Sequence, residues 1–473
     1  MRTRNWRLLG AAAAFAALTT IVVGCSSDGG SEGASTEDTE ATTGELDFLR
    51  VPQDFETIQE AVDAAAEGDI VLLDEGTYNE AVDVTTPDIT IRGVDRNKVI
   101  LDGEFELENG IRVLDTDGVV VENMTARNYT SNGFFWTGSD RYRGSYLTAY
   151  RNGDYGIYAF DAYHGQFDNS LGSGSPDAGF YIGECYECDA VIDNVISEYN
   201  GLGYSGTNSG GELYIVNSTF RHNRAGIVPN SGSYELCYPG RENVLVGNTV
   251  YDNNNQEGPA IDVALLAQGN GILLAGSIDN IVERNLVFDH DRTGIAAVPF
   301  PEEDASDVVP PVEQNAVPCE ETRDNELPDP ESIPDVVLWN ATGNRFVGNV
   351  VSGSGLADLA SGTIALDADS PTTADLDNCF SENEFTSTAP TDLEALAPCD
   401  GEGSGGDFEA NALDLLVLIN EMPDAPPEDA YKNTPEPEDQ ESMPDPLTTP
   451  YERFEAPEKP DVDAIEVPAK PAD

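Results

Sequence analysis

Lysine is nearly missing from this chain. It occurs only at Lys98, Lys432, Lys459 and Lys470, against 88 acidic residues, and the formal net charge of the 473 residues is -65. A field of that sign excludes nucleic acid as a partner and repels anionic membrane surfaces. It fits a saline habitat, where salt screens self-repulsion, and equally the acidic secretome of a GC-rich genome. Histidine is also scarce, at His164, His222 and His290, and with four methionines it leaves few ligands for copper handling. No helical pattern separates one strand-like run from the next, which disfavours a βαβ sheet.

The N-terminus reads as an address. Arg2, Arg4 and Arg7 form a basic region, and Leu8 to Val23 an apolar one of about 16 residues, short of the about 20 that a membrane span needs. Val22-Val23-Gly24-Cys25 resembles a bacterial lipobox, which implies cleavage of residues 1–24 and a lipid on Cys25. Residues 25–46 then form a Ser, Gly, Thr and Glu tether that lacks the apolar surface to fold. Six cysteines remain: Cys185, Cys188, Cys237, Cys319, Cys379 and Cys399. An even number in an exported chain predicts up to three disulfides, with about 15 pairings open. Cys185-Tyr-Glu-Cys188 has no second pair or His-x-x-x-His to complete a zinc site, so it reads as a loop clip.

What the chain has in quantity is a repeat. Gly133, Gly156 and Gly179 lie 23 residues apart, and Phe135, Tyr158 and Tyr181 keep that spacing. Asn194, Asn217 and Asn285 each precede a glycine by nine residues, joining short β-branched or aromatic runs through Asn and Gly corners. Three short strands per 23 residues, wound as one coil, predict an all-β parallel β-helix. Phe134, Ile157 and Phe180 should face inward with Trp136, Ala159 and Ile182, leaving the Phe135 column outside. Tyr204 either extends that column or falls onto the inward Phe180 position, since Gly203 follows Gly179 by 24 residues.

Residues 55–67, with Ile58, Ala61, Val62 and Ala65 at helical spacing, predict a helix capping the exposed end of the solenoid. The run from Thr57-Ile58-Gln59-Glu60-Ala61-Val62 through Gly76-Thr77-Tyr78 to Ile89-Thr90-Ile91-Arg92-Gly93 resembles the opening of right-handed single-stranded parallel β-helix proteins of the pectin lyase-like superfamily. The resemblance covers residues 47 to about 385. It implies a fold and little about activity, since the superfamily hosts lyases, hydrolases, epimerases, adhesins and lipoproteins. The β-helix domain is assigned to residues 47–400, with insertions at 254–268 and, rich in proline and acid, at 299–337. Residues 401–422 are a linker and short C-terminal helix, and 423–473 an acidic, proline-rich tail whose composition predicts disorder.

Residues one repeat apart should stack at about 4.8 Å. Phe135, Tyr158 and Tyr181 then make an aromatic ladder suited to holding a sugar chain. Asp154 and Asp177, and Asp161 and Glu184, make carboxylate pairs that repel unless a proton or a hard cation such as calcium sits between them. Arg141, His164 and Glu187 form a third ladder, a mixture suited to proton transfer beside Tyr158. Ladders of both kinds also arise with no function, as rings that stabilise the stack and as solvated charge. His222 and His290 each follow their motif Asn by five residues and read as equivalent corners, roughly 10 Å apart if separated by two rungs.

The resemblance implies three chemistries. A pectate-lyase-like elimination would use Arg141, Arg143 or Arg151 as base with a cation. An epimerase or alginate-type lyase would use His164, Tyr158 and Asp154. The Asp-Asp and Gly-His-Gly motifs of polygalacturonases are absent. A further resemblance, to the β-helix accessory protein of nitrous oxide reductase, implies metal delivery. The expectation is an extracytoplasmic, lipid-anchored, monomeric β-helix that binds or processes a uronate-type polysaccharide. Its alternative is a non-catalytic envelope lipoprotein that binds another exported protein.

Overall fold

The computed structural model describes residues 46–310, 319 and 329–471. The expected signal sequence, Cys25 and nearly all of the tether lie outside the described residues. Helix α1 (Ile58–Ala64) begins at Thr57, whose hydroxyl accepts from the Glu60 amide at 3.1 Å, and buries Ile58, Ala61 and Val62. It covers the first strands, as a solenoid end requires. Beyond it the chain winds through two long parallel sheets, of 20 and 11 strands among the described residues.

Strands of the larger sheet turn a corner within themselves. Val120–Arg127 and Arg143–Tyr150 each hold one residue at positive φ, Asn123 and Tyr146, and Asn169, Asn194, Asn217, Gly247, Arg284 and Gly348 repeat that bend rung after rung. Asparagine dominates because its short amide tolerates the left-handed conformation. The core is a column of stacked apolar side chains, with Phe134, Ile157, Phe180, Trp136, Ala159 and Ile182 all buried as the alternation requires. Tyr204 pairs with Phe180 and is wholly buried, so Ser205 instead follows Tyr181 on the outside. One extra residue in that turn moves the ring to the other face.

Asparagine ladders close the inner corners. Asn248, Asn285, Asn349 and Asn383 each accept, on the side-chain oxygen, from the backbone amide of the preceding rung, and the last three accept from its side-chain amide as well. Asn285 therefore belongs to this inner ladder, one residue after the outer corner that holds Asn194 and Asn217. The histidines separate in the same way. His222 sits at an outer corner with Nδ1 3.0 Å from Asp252, whereas His290 replaces an asparagine in the ladder Asn200, Asn223, Asn253 and meets Asn253 at 3.2 Å. Burial pushes the His290 imidazole down to about 3, so it is neutral.

Three disulfides join Cys185 to Cys188, Cys237 to Cys319 and Cys379 to Cys399. They place folding in an oxidising, extracytoplasmic compartment. No helix among the described residues is long and apolar enough to cross a membrane. The first insertion carries α2 (Asp262–Leu266), and the buried Arg224 guanidinium fastens its approach by donating to the carbonyls of Gln256 and Gly258. The second holds a hairpin of Phe300–Glu303 with Val336–Trp339. Helices α3 (Leu393–Leu396) and α4 (Leu415–Asn420) follow the last rungs.

The tail differs from its composition. Residues 429–471 lie along the larger sheet, where Arg151 donates to the Thr434 carbonyl at 2.7 Å, Arg92 to Thr449 at 2.6 Å and Arg284 to Ile465 at 2.9 Å. Composition reports whether a segment can build its own core. It does not report that outward arginines offer donors to a backbone that proline has left without partners.

Candidate active site

The site is built on the outer face of the 11-stranded sheet. Strands Phe134–Thr137, Ile157–Phe160 and Ala178–Gly183 are in register, so Phe135, Tyr158 and Tyr181 stack with ring centroids 5.0 and 4.8 Å apart and planes within 17°. Such pairs contribute about 0.5–1.5 kcal/mol each beyond their buried area. Gly183 is required here, since a Cβ on it would overlap the Tyr181 hydroxyl. Tyr155, from the turn entering the second strand, packs on Tyr158 at 4.5 Å and Tyr181 at 4.9 Å.

Carboxylates converge on these rings. Asp154 and Asp177 occupy adjacent rungs, linked by the Asp177 amide to the Asp154 carbonyl at 3.1 Å, and the Tyr155 hydroxyl donates to Asp177 at 2.6 Å. Burial raises Asp154 to about 6, and burial with the Asp154 charge raises Asp177 to about 8. Glu235 accepts from the Tyr181 hydroxyl at 2.7 and 2.8 Å, and burial with the charges of Glu184 and Asp177 holds it well above the usual carboxylate range. The leading influences on the three are burial and, for Asp177 and Glu235, neighbouring acids and a tyrosine hydroxyl. Burial likewise holds the hydroxyls of Tyr155, Tyr158 and Tyr181 neutral and therefore able to donate.

Glu235 arrives on a segment that folds back over the sheet, residues 231–240. The Asn208 side chain donates to the carbonyls of Gly232 and Glu235 at 2.6 and 2.7 Å and accepts from the Gly232 amide. The buried Glu302 carboxylate takes the Ser233 amide at 2.9 Å and the Trp339 indole at 2.7 Å, and the Cys237–Cys319 disulfide staples the far end. Tyr234 stands at the edge, half exposed, accepting from Asn230 at 2.8 Å.

The ladder of Arg141, His164 and Glu187 is only partly assembled. Arg141 and His164 are on adjacent rungs, since Asp140 pairs with Tyr163, but the His164 amide bonds the Cys188 carbonyl, which makes Asp189 the next rung. The Cys185–Cys188 clip lengthens that turn from 23 to 25 residues, as Arg143↔Gln166 and Gln166↔Val191 show, and it carries the exposed Glu187 out of line. His164 Nδ1 is 2.6 Å from Asp140, and Arg141 pairs with Asp88 at 2.7 Å. None of the three is among the leading charges on Tyr158 or Tyr181. Arg143 is engaged by Asp168 at 2.9 Å and Arg151 by the tail.

Asp161 and Glu184 stack as expected, and Glu184 also accepts from the Leu236 amide at 2.8 Å. Calcium asks for about six to eight oxygens. Among the described residues no three of His, Cys, Asp and Glu converge to hold a metal, so these pairs do not by themselves make a calcium site. Tyr155 and Glu235 could not be found from the repeat. Tyr155 sits outside the strand alternation, and Glu235 enters through a fold-back whose one sequence signal is the nearby Cys237.

The molecule is a parallel β-helix with a cluster of acids and tyrosines on one flank. Residues 81–237 match the family model described as a right handed beta helix region, which agrees with the coil seen here. Among solved structures the chain is similar in fold to the A-module of mannuronan C-5 epimerase AlgE4 from Azotobacter vinelandii, at 14% identity over 77% of this chain and 96% of that one, with a TM-score of 0.45. It is also similar to a pectate lyase at 12% identity, covering 85% and 90% of the two chains with a TM-score of 0.42. An alginate lyase from Paenibacillus shows 15% identity, coverage of 70% and 95% and a TM-score of 0.36. No curated protein matches the chain by sequence.

Proposed function

We propose that this protein is a carbohydrate-active β-helix, held at the cell envelope by a lipid on Cys25, and that a glycan chain lies along the part-exposed Phe135 and Tyr158, with the buried Tyr181 ring supporting the stack from beneath residues 231–240. The observation that carries this reading is the convergence of Asp154, Asp177 and Glu235 on the tyrosines of the ring stack, Asp177 on the Tyr155 hydroxyl and Glu235 on that of Tyr181. Sugars present apolar faces to rings and hydroxyls to carboxylates. A carboxyl kept protonated near neutral pH can donate to a glycosidic oxygen while an ionised neighbour acts as base or nucleophile, the division of labour that two-carboxylate glycoside chemistry needs. Asp154 and Asp177, which titrate together, are assigned the acid and its ionised partner between them, with the Tyr158 hydroxyl left to hold the sugar. Arg141 and His164, engaged by Asp88 and Asp140, and Glu187, carried out of line by the clip, are assigned no part in the step.

The charge of the cleft selects among substrates. A uronate brought to these carboxylates is repelled unless a cation such as calcium bridges it to Asp154 and Asp177. A neutral glycan needs no cation. The test incubates the protein with neutral and uronate polymers, with and without calcium, following reducing ends and the absorbance of unsaturated products. Release of reducing ends, lost about 100-fold or more in Asp177→Asn with binding retained, is the expected result. Binding without product under any condition would make this a glycan-binding module, and failure to retain any glycan would end the proposal.

A further inference from the structure

The outer column of the 11-stranded sheet changes character after Ser205. Its next residues are Val228, Leu273 and Ala296, stacked rung on rung. Leu266 of α2, Phe300 of the hairpin and Leu418 of α4 lie over this column around a cavity of about 70 Å³ that opens to solvent, so a longer guest needs the cover to move. The lining is mostly apolar, with Asn270, Thr293 and one charged side chain, Arg292. Its described hydrogen bonds are two long ones, to the carbonyls of Leu266 and Leu418 at 3.3 Å each. Glu421 acts on it through space, and burial works against its charge.

The cover is lightly seated. No residue of α4 is buried, and Leu416 and Val417 are 55% and 45% exposed. The helix follows a glycine-rich stretch, residues 401–406, in which Gly401 and Gly405 hold positive φ, and a Cβ on either would meet nothing within 4 Å. A short apolar helix on such a hinge can lift without breaking the solenoid.

We propose that this cleft binds a single-chain amphiphile with an anionic head. The alkyl chain lies along Val228, Leu273 and Ala296 beneath α4, and the head, a carboxylate or phosphate, replaces the two long carbonyl bonds to Arg292. Charge decides the class of ligand. A purely apolar guest would leave a half-buried guanidinium with poor partners, whereas an anion gives it charge-assisted hydrogen bonds.

The test uses the full chain in detergent-free buffer, with cis-parinaric acid as fluorescent probe and alkyl competitors. Dodecanoate should displace the probe at least 10-fold more effectively than dodecanol, and affinity should rise about fourfold per methylene from octanoate to dodecanoate. Dodecyl phosphate in the same assay assigns the head group. Arg292→Gln should abolish the preference for acid over alcohol while leaving alcohol affinity in place. Ala296→Trp should remove binding of both, and if that variant does not fold, Arg292→Gln still decides the matter. No displacement by alkyl acids, equal binding of acid and alcohol by the wild type, or a flat chain-length series would overturn the proposal.

Discussion

Asp177 offers a direct test of the cleft's electrostatics. Its carboxyl is 7% exposed and raised from 3.8 to about 8, by burial first and by Asp154 second. A carboxyl raised on folding binds its proton more tightly in the native state than in the unfolded one. Its influence is therefore neutral below about pH 4 and destabilising as pH rises through the window from about 4 to about 8. Between about pH 5 and 8 the unfolded group is ionised while the folded group still holds its proton over most of the range. At about 1.4 kcal/mol per pH unit the loss approaches about 4 kcal/mol, and sharing of protons with Asp154 brings the expectation to about 2–4 kcal/mol. Asp177→Asn removes this dependence and keeps an acceptor for the Tyr155 hydroxyl. Denaturant unfolding of wild type and variant at about pH 5 and 8 gives the comparison, with all other carboxylates common to both. The variant should gain about 2–4 kcal/mol on the wild type as pH rises. An offset between the two proteins that is the same at both pH values would refute the reasoning.

Tyr181→Phe strips Glu235 of its donor at 2.7 Å, and should lower stability by about 1–3 kcal/mol in thermal melts. Cys237→Ser opens a link spanning 82 residues, worth up to about 4.5 kcal/mol on chain-entropy grounds, and amide exchange should quicken first in residues 231–240. Asn285→Leu breaks the inner ladder at its centre and leaves the Asn248 backbone amide without its acceptor, so it should cost about 2–4 kcal/mol by denaturant unfolding. Truncation before residue 429 exposes Arg92, Arg96 and Arg151, and limited proteolysis of the shortened chain should begin at the larger sheet sooner than in the full protein.

The repeat made the coil, its inward columns and the Phe135–Tyr158–Tyr181 stack legible, because residues one repeat apart in a parallel β-helix must be neighbours at the rung spacing. Legibility failed wherever a turn changed length. The clip at Cys185–Cys188 displaced Glu187 from the His164 rung, and a single extra residue sent Tyr204 inward. Asn285 and His290 were misplaced by one position for the same reason: the spacing to a glycine does not say whether an asparagine turns the outer corner or fills the inner ladder.

Sequence by itself determined the solenoid, the cap and the aromatic flank, since local alternation and a fixed period leave the chain one economical way to stack. Tertiary structure alone decided which carboxyls lose water. Asp154 and Asp177 were visible as a pair, but their protonation depends on what packs around them, Tyr155 included, and Glu235 reaches the ring stack only through the fold-back of residues 231–240. The tail was decided in the same manner, by a wall of arginines that its own composition could not reveal. Desolvation is a property of everything packed around a group, and no local stretch of sequence contains it.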